Sequence, residues 1–278
     1  MKMKIAYQGV AGAYSHIACQ NVFPNQEYIS CDTFECAMNL VQSNQADVAM
    51  IPVENSNAGR VADVHFLLPD TGLFITGEYF LRIHHQLLGL PNSKPEEITS
   101  ASSHPQALAQ CSGFLKQHHI KPIARIDTAK SCEDIINNGD IHQAAIASSL
   151  ASEIYGLKIL AQNIENASNN TTRFLIMSPN NMIPEYDGKK FITSFVFHVK
   201  SIPAALYKAL GGFATNGINI TKLESYLVGG KFISAQFYAE IEAHPNEQAY
   251  QNAFEELNFF ADYIKVLGTY STHPYRNV

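Results

Sequence analysis

No run of lysine and arginine occurs in these 278 residues, only 16% of them are charged, and the formal net charge is −6. A nucleic-acid binder needs a basic stripe on one face, so that class is excluded. A small anionic ligand would have to be held by local donors. No apolar stretch approaches the roughly 18 residues of a membrane span. The opening "MKMKIAYQGV" passes from two lysines straight into a strand-like run, without the apolar core or cleavage site of a signal peptide. The five cysteines, Cys19, Cys31, Cys36, Cys111 and Cys132, are odd in number and form no C-x-x-C, as expected of reduced thiols. The expectation is a cytoplasmic protein that engages neither nucleic acid nor membrane.

The usual catalytic signatures are missing too. There is no G-x-G-x-x-G, no GK[ST], no H-E-x-x-H and no G-x-S-x-G, which removes dinucleotide, P-loop, zincin and serine-elbow readings. His84-His85 and His118-His119 are adjacent pairs. Neighbours on a strand point to opposite faces and cannot close on one ion, so no metal and no covalent nucleophile are expected.

What is present is 46% hydrophobic sequence, enough for one large domain and a smaller one. Through about residue 180, short apolar runs lead through Gly, Ser or Asn into helical patterns, the rhythm of α/β folds. "KIAYQG" leads into "AYSHIACQNVF", "DVAMIPV" through "ENSNAG" into "RVADVHFLL", "ITSASS" into "HPQALAQCSGFLKQ", and "QAAIAS" into "SLASEIYG" before "LKIL". Ligands gather at such strand ends. "YQGVAGAYSH" places Gly9, Gly12 and Ser15 in a strand-to-helix turn, which suits an anion or simple turn chemistry. "PVENSNAGR" offers Glu54, Asn55 and Ser56, either to a polar ligand or to a helix cap. "SSHPQAL" offers Ser103, His104 and Gln106 at a helix start, for proton exchange or for capping.

Residues 177–190, "MSPNNMIPEYDGKK", read as a linker. Beyond it, strand, helix, two strands, helix and strand give βαββαβ, the ferredoxin-like motif. A hairpin turn is expected at Gly229-Gly230, and alternation through Ile233, Ala235, Phe237, Ala239 and Ile241 marks a half-buried strand. In "INITKLESYL" the apolar parity shifts near Lys222, which predicts a bulge.

The polar run "NASNNTTRFLIM" delivers Asn170, Thr171, Thr172, Arg173 and Phe174 to a strand start. With "GAYS", "PVENS", "SHPQALAQC" and "AAIAS" before it in order, the whole chain resembles monofunctional prephenate dehydratase with a C-terminal ACT domain. The resemblance implies a two-lobed, periplasmic-binding-protein-like catalytic domain at 1–180, with lobe one at 1–80 and 160–180 and lobe two at 81–159. The ACT domain would occupy 190–278. It also implies conversion of prephenate to phenylpyruvate, carbon dioxide and water without a cofactor, since aromatisation drives the step.

On that likeness Thr172, Arg173 and Phe174 are the catalytic motif. Arg173 would anchor a carboxylate, Thr172 would assist the departing hydroxyl, and Phe174 would pack beneath. Asn55, Ser56, Ser15, His104, Gln106, Ser148 and Thr171 would complete the substrate wall. The effector phenylalanine would use Ala205, Leu206, Asn219, Glu224 and Ser225. Ala204 stands where the family carries glycine, and Tyr226 and Leu227 replace its arginine and proline. Arogenate dehydratase and a non-catalytic amino-acid sensor are the alternatives. Paired ACT sheets imply a homodimer or homotetramer.

Overall fold

In the computed structural model, residues 2–125, 127–227 and 235–277 are described. The Gly229-Gly230 hairpin and Ile233 lie outside them. The first layer is built from β1 (Lys4–Gln8), α1 (Tyr14–Val22), β2 (Glu27–Cys31), α2 (Phe34–Gln42), β3 (Val48–Asn55), β4 (Gly59–Arg60), α3 (Ala62–Leu67) and β5 (Phe74–Arg82). The chain then crosses to a second layer of β6 (Gln86–Gly89), β7 (Ser100–Ser103), α4 (Pro105–Gln110), α5 (Ser112–Gln117), β8 (Lys121–Ala124), α6 (Lys130–Asn138), β9 (Gln143–Ala147), α7 (Ser149–Tyr155) and β10 (Lys158–Ala161). It returns as β11 (Thr171–Ser178), which fills the gap between β3 and β5 in the order β2-β1-β3-β11-β5.

The second sheet runs β10-β6-β9-β7-β8. β5 continues to Arg82, and β10 belongs to the second sheet as far as Ala161. The crossovers therefore fall at 83–85 and 162–170, a few residues from the lobe limits expected above. The helical pattern read over "HPQALAQCSGFLKQ" is two short helices, α4 and α5, that meet at Cys111. All five cysteines are free, and only Cys36 is exposed.

The remaining elements are β12 (Phe191–Val199), α8 (Ala205–Thr215), β13 (Ile220–Leu227), β14 (Ala235–Ile241), α9 (Gln248–Phe260) and β15 (Ala261–Ser271). Their sheet order, β13-β14-β12-β15, is the ferredoxin-like arrangement. The β13 register shifts between Ile220 and Lys222, where the parity change placed the bulge. Alternation on β12 and β14 explains how this sheet is held. Phe195, Phe197, Phe237 and Ala239 meet α8 and α9 on one face. Ile192, Val196, Tyr238 and Tyr270 join Ala49, Ile51, Leu175 and Met177 of the first layer in a single core on the other. Backbones approach closely at Gly268, where an added Cβ would run into the Ile75 carbonyl oxygen. Only a residue without a side chain lets β15 lie against β5.

Candidate functional site

Between the two layers lies a cavity of about 520 Å³, within the range of small-molecule sites. Its walls include Tyr14 and Ser15 from α1, Asn55 and Arg60 from the β3–β4 turn, His85 from the first crossover, His104, Gln106 and Gln110 from α4, and Thr172 and Phe174 from β11. The motif expected to be catalytic divides by strand parity. Thr172 and Phe174 face the cavity, while Arg173 and Thr171, one residue out of step, face the C-terminal domain.

Arg173 therefore does not anchor a ligand in this cleft, contrary to expectation. It is 5% exposed. Its Nε donates to Glu78 Oε2 at 2.8 Å, one terminal nitrogen to Glu240 Oε1 at 2.8 Å and the other to the Tyr270 hydroxyl at 3.1 Å. Arg276 closes the same cluster, reaching both Glu78 oxygens at 2.7 and 2.9 Å and Glu240 Oε2 at 2.7 Å. Tyr275 stacks on Phe80 at 4.8 Å and donates to Thr171 Oγ1 at 3.2 Å. Two arginines and two carboxylates thus join β5 and β11 to β14 and the turn after β15.

The remaining expected wall residues separate by what their polar atoms do. Ser15, Asn55, His104 and Gln106 line the cavity, and His104 also caps α4 by accepting from the Gln106 N–H at 3.3 Å. Ser56 instead ties the two returning segments, donating to the Asn169 carbonyl at 2.8 Å and accepting from the Thr171 N–H at 3.0 Å. Ser148 caps α7 and donates to the Gly12 carbonyl at 2.5 Å, joining the lobes across the cleft's end. Gly12 has φ +87°, and an added Cβ would lie 2.8 Å from Ala151 Cα.

Asn55 sits opposite Thr172 in the β3–β11 ladder. Its Oδ1 accepts from the N–H groups of Asn57 and Ala58, both at 3.0 Å, which fixes the amide orientation. Nδ2 then donates to Thr172 Oγ1 at 3.0 Å and to Asn170 Oδ1 at 2.8 Å. Asn170 Nδ2 passes the order on to Gln110 Oε1 at 3.0 Å, and His85 Nε2 lies 2.8 Å from the same oxygen. An amide oxygen only accepts, so His85 carries its proton on Nε2. Its Nδ1 is left to accept from the Tyr14 hydroxyl at 2.7 Å, a proton shared with the His84 carbonyl at 3.0 Å.

One chain of side chains, Tyr14–His85–Gln110–Asn170–Asn55–Thr172, thus spans both crossovers. At its end the Thr172 oxygen is already accepting from Asn55, and its proton has no acceptor among the described residues. That proton is available to the cavity. Burial lowers the His85 pKa and, at the other end, raises that of Tyr14 well above the ordinary phenol value. His84, its neighbour, turns outward to Glu165 Oε1 at 2.8 Å.

Sequence reasoning left out Tyr14, His85, Gln110 and Arg60. Gln110 had a signal, since it lies four residues after Gln106 on the same face of α4. In the C-terminal domain, Ala205 is buried at the start of α8 and Leu206 packs on that domain's core. Asn219 donates to Glu242 Oε2 at 3.2 Å. Ala204 adopts φ +58°, a left-handed conformation that favours glycine. Tyr226 is buried against Phe66 and accepts from Gln236 Nε2 at 2.6 Å, which docks the domain on α3.

A two-lobed α/β cleft carrying a ferredoxin-like domain on its first lobe is the class that fold and site define. The family model described as prephenate dehydratase matches residues 5–182, and the chain belongs to that family. It is 43% identical over 272 residues to a bifunctional N-acyl-homoserine lactone acylase/prephenate dehydratase of Komagataeibacter europaeus, covering 98% of this chain and 97% of the relative. To the arogenate dehydratase/prephenate dehydratase 1 of Arabidopsis thaliana it is 40% identical over 283 residues, covering 97% and 72%. The prephenate dehydratase of Arthrobacter aurescens, solved in complex with L-Phe, superposes with a TM-score of 0.89 at 26% identity, covering 97% and 90%. Among the described residues no helix is long and apolar enough to cross a membrane.

Proposed function

We propose that residues 1–180 catalyse the decarboxylating dehydration of prephenate to phenylpyruvate, and that residues 190–278 form a regulatory ACT domain. The observation that supports this best is the Thr172 hydroxyl, its oxygen held by Asn55 and its proton free toward the cavity. The prephenate dianion gives phenylpyruvate anion, carbon dioxide and a hydroxide that leaves as water on taking one proton. The carboxylate bond to the ring breaks, its electron pair completes the aromatic ring, and the carbon–oxygen bond breaks. Thr172 donates a hydrogen bond to the departing oxygen. A threonine is a very weak acid, so stabilising the developing charge outweighs full proton transfer. Burial against Phe174, 1% exposed, strips water from the carboxylate that must leave as a neutral molecule.

Phenylpyruvate formation from prephenate by the purified chain is the test. A higher kcat/KM on arogenate would assign the amino-acid substrate, and saturable binding without turnover on either would leave a sensor. The relative from Komagataeibacter adds a second reading, amide hydrolysis of N-acyl-homoserine lactones. One observation favours it. The Tyr14 hydroxyl, His85 Nδ1 and Gln110 form a hydroxyl–base–orienter series at 2.7 and 2.8 Å, the geometry of an activated nucleophile, set against burial that holds the Tyr14 proton more tightly. Release of homoserine lactone, lost in Tyr14→Phe, would support it.

The proposed effector is phenylalanine, at Ala205, Leu206, Asn219, Glu224 and Ser225, in an assembly of two or four chains. Isothermal titration should give saturable heat with phenylalanine. No heat with phenylalanine, tyrosine or tryptophan would remove the regulatory role.

A further inference from the structure

A dianionic substrate needs a fixed positive charge, and Arg173, which the motif seemed to supply, faces away. Among the described residues lining the cavity, Arg60 alone is lysine or arginine. It stands on β4, the two-residue strand that folds back on β3 with Gly59 paired to Asn55 and Arg60 to Glu54. The intervening turn is pinned by Asn55 Oδ1. The residue that orients Thr172 therefore also sets where Arg60 stands.

The other end of Arg60 belongs to the C-terminal domain. Its NH1 donates to Glu224 Oε2 at 3.1 Å and to the Ser225 carbonyl at 3.2 Å. Nε and NH2, the side edge of the guanidinium that matches a carboxylate bidentately, have no partner among the described residues. Glu224 is shared, since Lys222 Nζ lies 3.4 Å from its Oε1 and 2.9 Å from Glu54 Oε1. The arginine side chain, which lines the cleft, is 38% exposed and Glu224 29%, so the pair is open to solvent and can exchange partners.

We infer that Arg60 is the carboxylate anchor of the cleft, and that Glu224, by holding the NH1 end of the same guanidinium, sets how strongly that anchor binds. This deepens the prephenate reading and rests on it. Coupling of this kind is reciprocal. Whatever draws Glu224 onto Arg60 weakens the substrate's hold, and a carboxylate on Arg60 loosens Glu224. Because Glu224 and Ser225 are also proposed effector residues, one ion pair would connect the regulatory sheet to the substrate.

Steady-state kinetics on the full chain test it, with folding of each variant checked by its thermal transition. Arg60→Gln should raise KM for prephenate about 10- to 100-fold, the size of a lost charge-assisted contact, with little change in kcat. Arg60→Lys should recover part of that loss. Glu224→Gln should lower KM, and Arg60→Gln with Glu224→Gln should match Arg60→Gln alone.

A KM for Arg60→Gln close to that of the wild type would overturn the anchor. Unchanged affinity in Glu224→Gln would overturn the coupling. Failure of the prephenate reading shows separately, as a wild type without turnover. Isothermal titration of prephenate then decides for Arg60, because equal binding by wild type and Arg60→Gln, or binding by neither, overturns the inference.

Discussion

Thr172→Ala should lower kcat for phenylpyruvate formation by about 100- to 10,000-fold, the range for a group that meets the departing atom in the transition state. Thr172→Ser should recover part of the loss. The reasoning starts from Asn55, whose amide is oriented by two backbone N–H groups and donates to Thr172 Oγ1 at 3.0 Å. With that lone pair occupied, the hydroxyl proton is left to donate into the cavity where the substrate is proposed to bind. Serine keeps the proton but loses the γ-methyl group that restricts its rotation. Since Thr172 is proposed to work mainly on a bond that breaks, the deficit should appear in kcat more than in KM. Stopped or initial-rate assays of phenylpyruvate read it directly, and turnover near the wild-type rate in Thr172→Ala would exclude threonine from the mechanism.

Arg173→Met should lower stability by about 3–5 kcal/mol, because removing one partner leaves buried carboxylates uncompensated. Glu78 and Glu240 have side chains 0% and 1% exposed, and Arg276 would be the one cation left for both, beside the neutral donors Tyr238 OH and His273 N–H. Arg173→Lys should also lose stability, since a point charge cannot meet Glu78, Glu240 and Tyr270 at once. Urea unfolding checks both variants, and wild-type midpoints would show that the cluster contributes nothing. The pH dependence has a definite sign. Burial opposes the Glu240 charge, but Arg173 and Arg276 prevail and hold its pKa at about 2 against the ordinary 4.5. A carboxylate with a depressed folded pKa stabilises fully above its unfolded value, and that contribution drains away as pH falls from about 4.5 through about 2. Glu240→Gln should flatten this part of the acid profile.

The contrast between these two neighbours shows what could be read from the sequence. The motif gave Thr172, Arg173 and Phe174 their order, but a strand turns alternate residues to opposite faces. Nothing in the order says which parity meets the ligand. Of the three, Thr172 and Phe174 line the cavity, while Arg173, expected to anchor a carboxylate, lies on the opposite face. Ser56 and Ser148 were read as ligand donors because a serine before a helix or turn looks the same whether its hydroxyl faces a cleft or a backbone carbonyl.

His85 was weighed only as half of an adjacent pair, so its place between Tyr14 and Gln110 depended on a crossover no local pattern describes. Arg60 stood in the quoted "PVENSNAGR", but its partner Glu224 lies 164 residues away. The βαββαβ order and the bulge beside Lys222 were legible because they rest on local alternation and parity. The first-layer strands β2 and β5 were not, since their apolar positions are shared between two cores.

Strand β11 carries one more consequence. It is the partner that joins β5 to β3 in the first sheet, yet it begins at Thr171, after all of the second layer. A chain emerging from the ribosome has β1 through β5 in hand long before it has the strand that joins β5 to the rest. The second layer, drawn from one continuous stretch, can close while the first waits. Synthesis thus sets an order of assembly in which the strand bearing Thr172 is among the last parts of the cleft to be placed.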